Sequence, residues 1–186
     1  YLECCRKDGV LQVTMKKLLS LILLSIGLTS YSMAEDNWSL MDDTRLITHG
    51  EIVWGHQFGF MKNLRFCDSD ILLVSWSSGI SDGEMKKLEG ESVYFKIKID
   101  GEELDEELQF TLMFAGEMFL LEVGYFGAII KSESFIERLK QSSRVELTFT
   151  EPQRLIEILD IETDSFRTEG LDESYSLLDN SCPVIM

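Results

Sequence analysis

Strict alternation of apolar and polar side chains over residues 93–99 constrains the fold of this chain more than any other feature. Alternation with a period of two is typical of a β-strand that buries one face. The apolar set is Val93, Phe95, Ile97 and Ile99, and the polar set is Tyr94, Lys96 and Lys98. Residues 144–150 repeat the pattern, with Val145, Leu147 and Phe149 facing inward. The chain is therefore predicted to be built mainly from β-strands.

Less regular segments extend the predicted β-structure and add two short helices. Asp100-Gly101 is expected to turn the chain, because glycine accepts a positive φ without a Cβ clash. One helix is predicted over Phe135–Gln141, capped by Ser134, and a second from the spacing of Leu171, Tyr175 and Leu178. The other predicted strands are Leu46–Trp54, Leu64–Cys67, Ile71–Trp76, Leu108–Phe114, Met118–Val123 and Leu155–Ile161. The predicted fold is mainly β: an antiparallel β-sandwich or partly open barrel with one or two short helices.

The N-terminal region has the pattern of a secretory signal peptide. Met15-Lys16-Lys17 precedes an apolar stretch, and Ser32-Met33-Ala34 offers small residues for cleavage after Ala34. A membrane anchor is the alternative, but a spanning helix needs about 20 apolar residues and this stretch has roughly half that number. We predict upstream translated sequence at 1–14, a signal peptide at 15–34 and a single β-rich domain at 35–186. The expected location is periplasmic or secreted, with no membrane insertion after cleavage.

Two cysteines remain after the predicted cleavage. Cys67 and Cys182 form an even pair in a chain that is expected to reach an oxidising compartment. We predict one disulfide between them. Two buried thiols or a metal site are the alternatives, but a structural zinc site needs four ligands and no histidine lies near either cysteine. No metal and no cofactor are predicted.

The charge of the chain limits its partners. Residues 1–34 hold four of the 17 basic and two of the 33 acidic residues, so the predicted mature chain has 13 basic and 31 acidic residues, a net charge of −18. Such a surface repels the phosphate backbone, which argues against a nucleic-acid binder. It could attract a cation or a basic protein, or it could serve solubility alone.

The two histidines, His49 and His56, are the residues to consider for catalysis. In a hydrolase His56 would be the base, and Ser75, Ser77 or Ser78 would be the nucleophile. The segment around these serines lacks the first glycine of the G-x-S-x-G turn and is not surrounded by alternating strands and helices. We therefore predict no catalytic residue.

Two acidic segments and one aromatic segment are candidate binding sites. Residues 100–107 are as acidic as a calcium loop but lack its alternating oxygens before the glycine, so a solvated hairpin is predicted. Asp160, Glu162 and Asp164 would share one face of a strand, where a cation or a basic partner would relieve their repulsion; a charged sheet edge is the alternative. A loop tip formed by Gly124-Tyr125-Phe126-Gly127 could anchor a partner through its aromatic residues. Most other aromatic residues, among them Trp54, Phe58 and Phe60, are expected in the core.

The order of several short motifs is similar to that of small exported bacterial proteins of the invasion-associated locus B type and of VasI-like accessory proteins of type VI secretion. The motifs lie within residues 38–182 and comprise Leu64-Arg65-Phe66-Cys67, Lys98-Ile99-Asp100-Gly101, Phe135–Leu139, the strand at 144–150, Phe166, Gly170-Leu171, Leu178 and Cys182. The resemblance implies a non-enzymatic, β-rich periplasmic protein with a Cys-to-Cys bridge. The chain departs from the more cysteine-rich members, because it has no additional cysteine pair.

These features together predict an exported, non-enzymatic binding or accessory protein of the bacterial cell envelope, and the resemblance implies an association with secretion or invasion. A protein partner is expected. The alternative is an acidic inhibitor or ligand of a basic secreted hydrolase such as lysozyme, since opposite charge accelerates encounter. An enzyme that uses His56 is the third hypothesis.

Overall fold

A computed structural model describes residues 37–42, 44–62, 69–79, 83–105, 107–118, 120–130 and 132–180. The strands are β1 (Ser39–Asp42), β2 (Arg45–His49), β3 (Gln57–Lys62), β4 (Asp70–Ser77), β5 (Ser92–Ile99), β6 (Glu102–Glu103), β7 (Leu108–Met118), β8 (Leu121–Ile130), β9 (Arg144–Glu151) and β10 (Thr163–Arg167). The helices are α1 (Glu133–Lys140), α2 (Gln153–Ile156) and α3 (Leu171–Asp179), and Lys86–Leu88 forms one 3₁₀ turn. The predicted mainly β fold is confirmed.

All strands belong to one antiparallel sheet with the order β1-β2-β3-β4-β8-β7-β5-β9-β10, and β6 pairs with β5. The sheet is not closed. Its two ends nevertheless approach each other, because Gly50, just after β2, forms an isolated bridge with Phe166 in β10. A partly open barrel therefore describes the architecture better than two separate sheets.

Phenylalanine side chains fill the interior of the curved sheet. The alternation that predicted β5 and β9 is realised, since inward residues of both strands are buried and outward residues are half-buried or exposed. Six strands contribute fully buried aromatic residues, namely Phe58, Phe60, Trp76, Phe95, Phe110, Phe126 and Phe166. Burial of this apolar surface is the main stabilising contribution.

Three predicted strands differ from the structure. The Leu46–Trp54 prediction is too long, because β2 ends at His49 and residues 50–56 form a turn. Residues 118–123 contain the end of β7 and the start of β8 rather than one strand. Residues 155–161 form the end of α2 and a turn, since the Ile158 and Leu159 amides donate to the Leu155 and Ile156 carbonyls. The predicted strand Leu64–Cys67 lies outside the described residues.

Both predicted helices are present. The first begins two residues earlier than expected, at Glu133, so Ser132 and not Ser134 is the N-cap. The hydroxyls of these two serines lie 2.7 Å apart. The second buries Leu171, Tyr175 and Leu178, the three residues that predicted it.

The predicted turn at Asp100-Gly101 also forms, with positive φ at both residues (50° and 85°). It connects β5 to β6, so the acidic segment begins with a hairpin as predicted.

Gly59 allows β2 and β3 to approach each other. A Cβ atom there would lie 2.0 Å from the Leu46 carbonyl oxygen and 2.9 Å from the Ile47 Cα. We expect Gly59→Ala to lower the free energy of unfolding by about 1–3 kcal/mol, because backbone atoms cannot move aside as a side chain could. Gly55→Ala is the matched control, since nothing lies within 4 Å of its Cβ position. Urea unfolding followed by circular dichroism measures both, and equal midpoints would contradict the prediction.

Candidate functional site

The first candidate site is centred on His56, which ends the 50–56 turn immediately before β3. The residue is 0% exposed. Its ring stacks on the Trp76 ring of β4, with centroids 4.1 Å apart and planes inclined by 25°. A buried imidazole needs partners for its ring nitrogens, because an unpaired polar atom in the interior is costly.

Two carboxylates, from β10 and from the segment just before it, face the two ring nitrogens of His56. The Nδ1 atom lies 2.9 Å from an Asp164 oxygen. The Nε2 atom lies 3.1 and 3.2 Å from the two Asp160 oxygens and 3.0 Å from the Ser77 hydroxyl. We call His56, Ser77, Asp160 and Asp164 the His56 cluster. It joins β3 and β4 to the segment around β10, next to the Gly50–Phe166 bridge.

Asp164 is held by backbone donors as well as by His56. Its carboxylate accepts from the amides of Ile52 and Val53, both at 3.0 Å, and from its own neighbour Ser165 at 2.7 Å. The Asp164 side chain is 0% exposed. A Cβ atom on Gly50 would lie 2.4 Å from an Asp164 oxygen, so glycine leaves room for this carboxylate. Asp164 therefore fixes the 50–56 turn against β10.

Asp160 occupies the more open side of the cluster, with 22% of its side chain exposed. It accepts from the Ser77 hydroxyl at 2.6 Å and from the Ile161 amide at 2.8 Å. The Trp76 indole donates to the Ile161 carbonyl at 2.8 Å. The Asp160 amide donates to the Ser77 carbonyl at 3.3 Å. These contacts tie the segment before β10 to the end of β4.

The electrostatics of the cluster favour a protonated histidine between two ionised aspartates. Burial by itself lowers the pKa of His56, but the hydrogen bonds and charges of Asp160 and Asp164 outweigh it and raise that pKa above its ordinary value. Burial opposes ionisation of both aspartates too, yet the hydrogen bond from His56 and those from their other donors lower the pKa of each. His56, a residue of the same chain, thus supplies a positive charge that relieves the repulsion between these carboxylates.

The sign of each shift sets a pH window for stability. The contribution of His56 is complete below its unfolded pKa of about 6.5 and is lost as the pH rises through the higher folded pKa. The contribution of the aspartates is complete above their model value of 3.8 and is lost as the pH falls through their lowered folded pKa. The cluster therefore stabilises the fold most at mildly acidic pH, between these two unfolded pKa values.

Ser77, His56 and Asp164 lie in the order of a hydrolase triad, but their environment does not suit that chemistry. A general base needs an unprotonated nitrogen, whereas carboxylates face both nitrogens of His56 and favour its charged form. The Ser77 hydroxyl donates to Asp160 rather than to the imidazole. The amides of the next two residues, Ser78 and Gly79, already donate to the carbonyls of Glu122 and Ile158 and so do not form an oxyanion hole.

The structure brings one of the three candidate serines to His56. Ser77 is in contact, whereas the Ser78 hydroxyl donates to the Ile158 carbonyl at 2.9 Å. Ser75 is buried opposite Gln57 of β3. His49 stacks on Trp54 at 4.3 Å and takes no part in the cluster. Trp54 is 75% exposed, so the prediction that it lies in the core is wrong.

The prediction that Asp160, Glu162 and Asp164 share one exposed face is wrong. Asp164 is buried, Asp160 is half-buried, and Glu162 is exposed. The regular strand begins only at Thr163, so the period of two does not extend back to Asp160. Among the described residues, no group of three or more His, Cys, Asp or Glu side chains could hold a metal ion.

The second candidate site is an apolar surface on the β7–β8 hairpin. Its exposed residues are Met113, Phe114, Met118, Leu120, Leu121 and Ile129, and we call these the hairpin surface. Leu120, between the two strands, is 85% exposed. Gly116 and Gly127 leave space for neighbouring side chains, since Cβ atoms there would lie 2.9 Å from the Phe114 ring and 2.6 Å from the Met113 sulfur.

The prediction of a loop tip at Gly124-Tyr125-Phe126-Gly127 is also wrong, because these residues lie in the middle of β8. Phe126 is 0% exposed and Gly124 is buried, where a Cβ atom would lie 2.5 Å from the Met85 sulfur. Tyr125 is half-buried and stacks on Phe114, with centroids 6.0 Å apart. Only Tyr125 of the three predicted partner-binding residues in this segment adjoins the hairpin surface.

Other predictions concern parts of the chain that the structure does not describe or tests only in part. Cys67 and Cys182, the predicted disulfide, lie outside the described residues, as does the predicted signal peptide. No helix within the described ranges is long and apolar enough to cross a membrane. No family model, curated protein or solved structure matches the chain.

Proposed function

We propose that the chain is an exported binding protein without a catalytic centre, and that it engages a basic protein partner through the hairpin surface. Exposed apolar residues clustered on one hairpin are the observation that carries the proposal. Exposed apolar residues grouped on one part of a protein surface are typical of interaction sites. Export is proposed from the leader pattern at 15–34, and an accessory role in the cell envelope from the resemblance of motif order.

The hairpin surface has the composition of a binding site. Methionine and phenylalanine are enriched at interface centres, where they exclude water from neighbouring polar contacts. Methionine also adapts its shape to a partner, because its side chain is unbranched and polarizable. The antiparallel pairing of Met118 with Leu121 and of Phe114 with Tyr125 keeps these residues on a hydrogen-bonded scaffold.

A basic partner is proposed because of the charge of the chain. A net charge of −18 for the predicted mature chain disfavours a second copy, an acidic protein or anionic lipid. Opposite charge on the partner would accelerate association, and added salt would weaken this attraction.

The environment of His56 supports a non-enzymatic protein. The imidazole is enclosed by Asp160, Asp164 and the Trp76 ring, and no described backbone amide next to Ser77 is available to an oxyanion. These contacts suit a structural role better than base catalysis.

The double variant Phe114→Ser/Ile129→Ser tests the binding surface. Both side chains are more than half exposed (55% and 68%), so the fold should be retained. Affinity for the partner isolated with the wild-type protein should fall about 30-fold if their loss removes about 2 kcal/mol of binding free energy. Leu177→Ser on α3 is the matched control, because Leu177 is 60% exposed on another element.

The measurement is co-purification from the periplasm of the native host, followed by titration of the identified partner. An affinity that stays at the wild-type value in Phe114→Ser/Ile129→Ser, or that falls equally in Leu177→Ser, would exclude the hairpin surface as the binding site. A partner with an acidic surface would exclude the charge argument.

Inhibition of a basic hydrolase is the second candidate function. The highly exposed Leu120 lies between two strands of the hairpin surface, and such a projecting residue could enter an active-site cleft. Lysozyme activity measured with increasing amounts of the pure protein tests this candidate. Unchanged activity at a large molar excess would exclude lysozyme as the target.

A further inference from the structure

In the His56 cluster, one protonated imidazole bridges two carboxylates. Imidazolium has two N–H donors, and in this structure Asp164 faces one nitrogen and Asp160 faces the other. Neutral imidazole has one N–H donor and one lone pair. After loss of a proton, one aspartate would therefore face a lone pair instead of a donor.

The surroundings decide which aspartate loses its donor. Asp164 is fully buried and accepts from the amides of Ile52, Val53 and Ser165, so an ionised Asp164 remains well solvated by the protein. Asp160 is partly exposed and can turn toward water. The remaining proton should stay on Nδ1, facing Asp164, and Nε2 should lose its proton.

The Ser77 hydroxyl provides an alternative partner for the unprotonated nitrogen. It now donates to Asp160 at 2.6 Å, and its oxygen lies 3.0 Å from Nε2. A rotation of this hydroxyl hydrogen would satisfy Nε2 and remove a second donor from Asp160. Loss of one proton from His56 thus removes two hydrogen bonds from the same carboxylate.

The groups that face His56 can be assigned element by element. Asp164 comes from β10, Asp160 from the preceding segment, and Ser77 and the Trp76 ring from β4. The 50–56 turn adds Glu51, which bonds outward to Arg144, Arg167 and Ser165.

The other titratable groups near the 50–56 turn are Glu51 and His49. The hydrogen bond from Arg167 lowers the pKa of Glu51, which therefore stays ionised near neutral pH. His49, whose Nδ1 lies 2.9 Å from the Trp54 carbonyl oxygen, is the second histidine near this turn.

We propose that the His56 cluster is a pH-controlled clasp, in which loss of one proton from His56 releases Asp160 and loosens residues 158–161 from the end of β4. The turn at 50–56 stays attached through Asp164. An exported protein that meets a change in external pH would thereby change the structure of this end of the sheet. The inference concerns the cluster alone and stands whether or not the hairpin surface binds a partner.

Nuclear magnetic resonance of the full chain tests the clasp. The imidazole signals of His56 give its titration, and a His49→Gln variant assigns them. Amide hydrogen exchange, corrected for its intrinsic pH dependence, gives the protection of Gly79 and Asp160, whose amides donate to the Ile158 and Ser77 carbonyls. Their protection factors should fall about tenfold for each unit by which closure of the clasp raises the pKa of His56.

Amides of Phe95 and Leu147, in the paired strands β5 and β9, should keep their protection over the same pH range. Parallel loss at these amides would indicate global unfolding and overturn the proposal. A titration of His56 that leaves Gly79 and Asp160 unchanged would overturn it as well.

The isosteric variant Asp160→Asn is the specific control. Its side-chain amide can donate to a neutral Nε2, so the variant no longer needs the second proton on His56. The pKa of His56 should fall, and the pH-dependent step in Gly79 protection should disappear. An unchanged step in this variant would refute the mechanism. The wild-type pH series decides the proposal even if Asp160→Asn does not fold.

Discussion

Replacing His56 with alanine is expected to lower the free energy of unfolding by about 3–5 kcal/mol, the range found when one partner of a buried ion pair is removed. Asp164 would keep its backbone donors but lose the cation that offsets its complete burial. Asp160 would lose its hydrogen bonds to Nε2. Urea unfolding at pH 6, where the cluster is most stabilising, measures the effect.

His56→Phe separates the charge of His56 from its volume. Phenylalanine can maintain the stack on Trp76 but offers no donor to Asp160 or Asp164, so we expect a loss similar to that of His56→Ala. His49→Ala is the comparison for a partly exposed histidine outside the cluster. Wild-type stability in His56→Phe would show that packing, and not the ion pair, is what His56 contributes.

The strands that sequence patterns predicted well are those that bury one face and leave the other in water. In β5 and β9 the outward residues include Lys96, Lys98 and Glu146, whose polarity makes the period of two visible. The β3 strand was not predicted, although Phe58 and Phe60 alternate there. Its glycine at position 59 reflects the close approach of β2, a long-range contact that a local pattern does not contain.

The prediction for β8 is wrong because its glycines also reflect contacts with residues distant in the sequence. The sequence predicts a loop tip flanked by Gly124 and Gly127, because glycine is common in turns. In the structure they lie under the Met85 and Met113 side chains, which occupy the space where a Cβ atom would be. Glycine in a strand can thus mark close packing from outside the strand, and sequence alone does not distinguish this use from a turn.

The His56 cluster could be predicted only in part. The sequence offers His56 as a base with Ser75, Ser77 or Ser78 as nucleophile, and separately predicts that a cation or a basic partner would relieve the repulsion among Asp160, Glu162 and Asp164. No local pattern connects these two predictions, because Asp160 and Asp164 lie 104 and 108 positions from His56 along the chain. The connection depends on β10 approaching the opposite end of the sheet, a property of the topology rather than of any local motif.

A second buried charge anchors the C-terminal helix, and its removal is the other change with a large expected effect. Lys62, at the end of β3, lies 2.6 Å from an Asp70 oxygen and 2.5 Å from an Asp179 oxygen. The Tyr175 hydroxyl of α3 donates to the second Asp70 oxygen. The ammonium groups of Lys62 and Lys140 lie 5.2 and 4.7 Å from the centroid of the Tyr175 ring.

Lys62→Met should lower the free energy of unfolding by about 3–5 kcal/mol, because it leaves the buried Asp70 carboxylate without its cation. The double variant Lys62→Met/Asp70→Leu should recover most of that loss, since neither charge then remains to be solvated. Lys96→Met is the matched control on β5, where the exposed pair with Glu103 should contribute only about 0–1 kcal/mol. Urea unfolding of the three variants gives the comparison. A double variant no more stable than Lys62→Met would contradict the prediction, because the unpaired Asp70 charge would then not be the source of the loss.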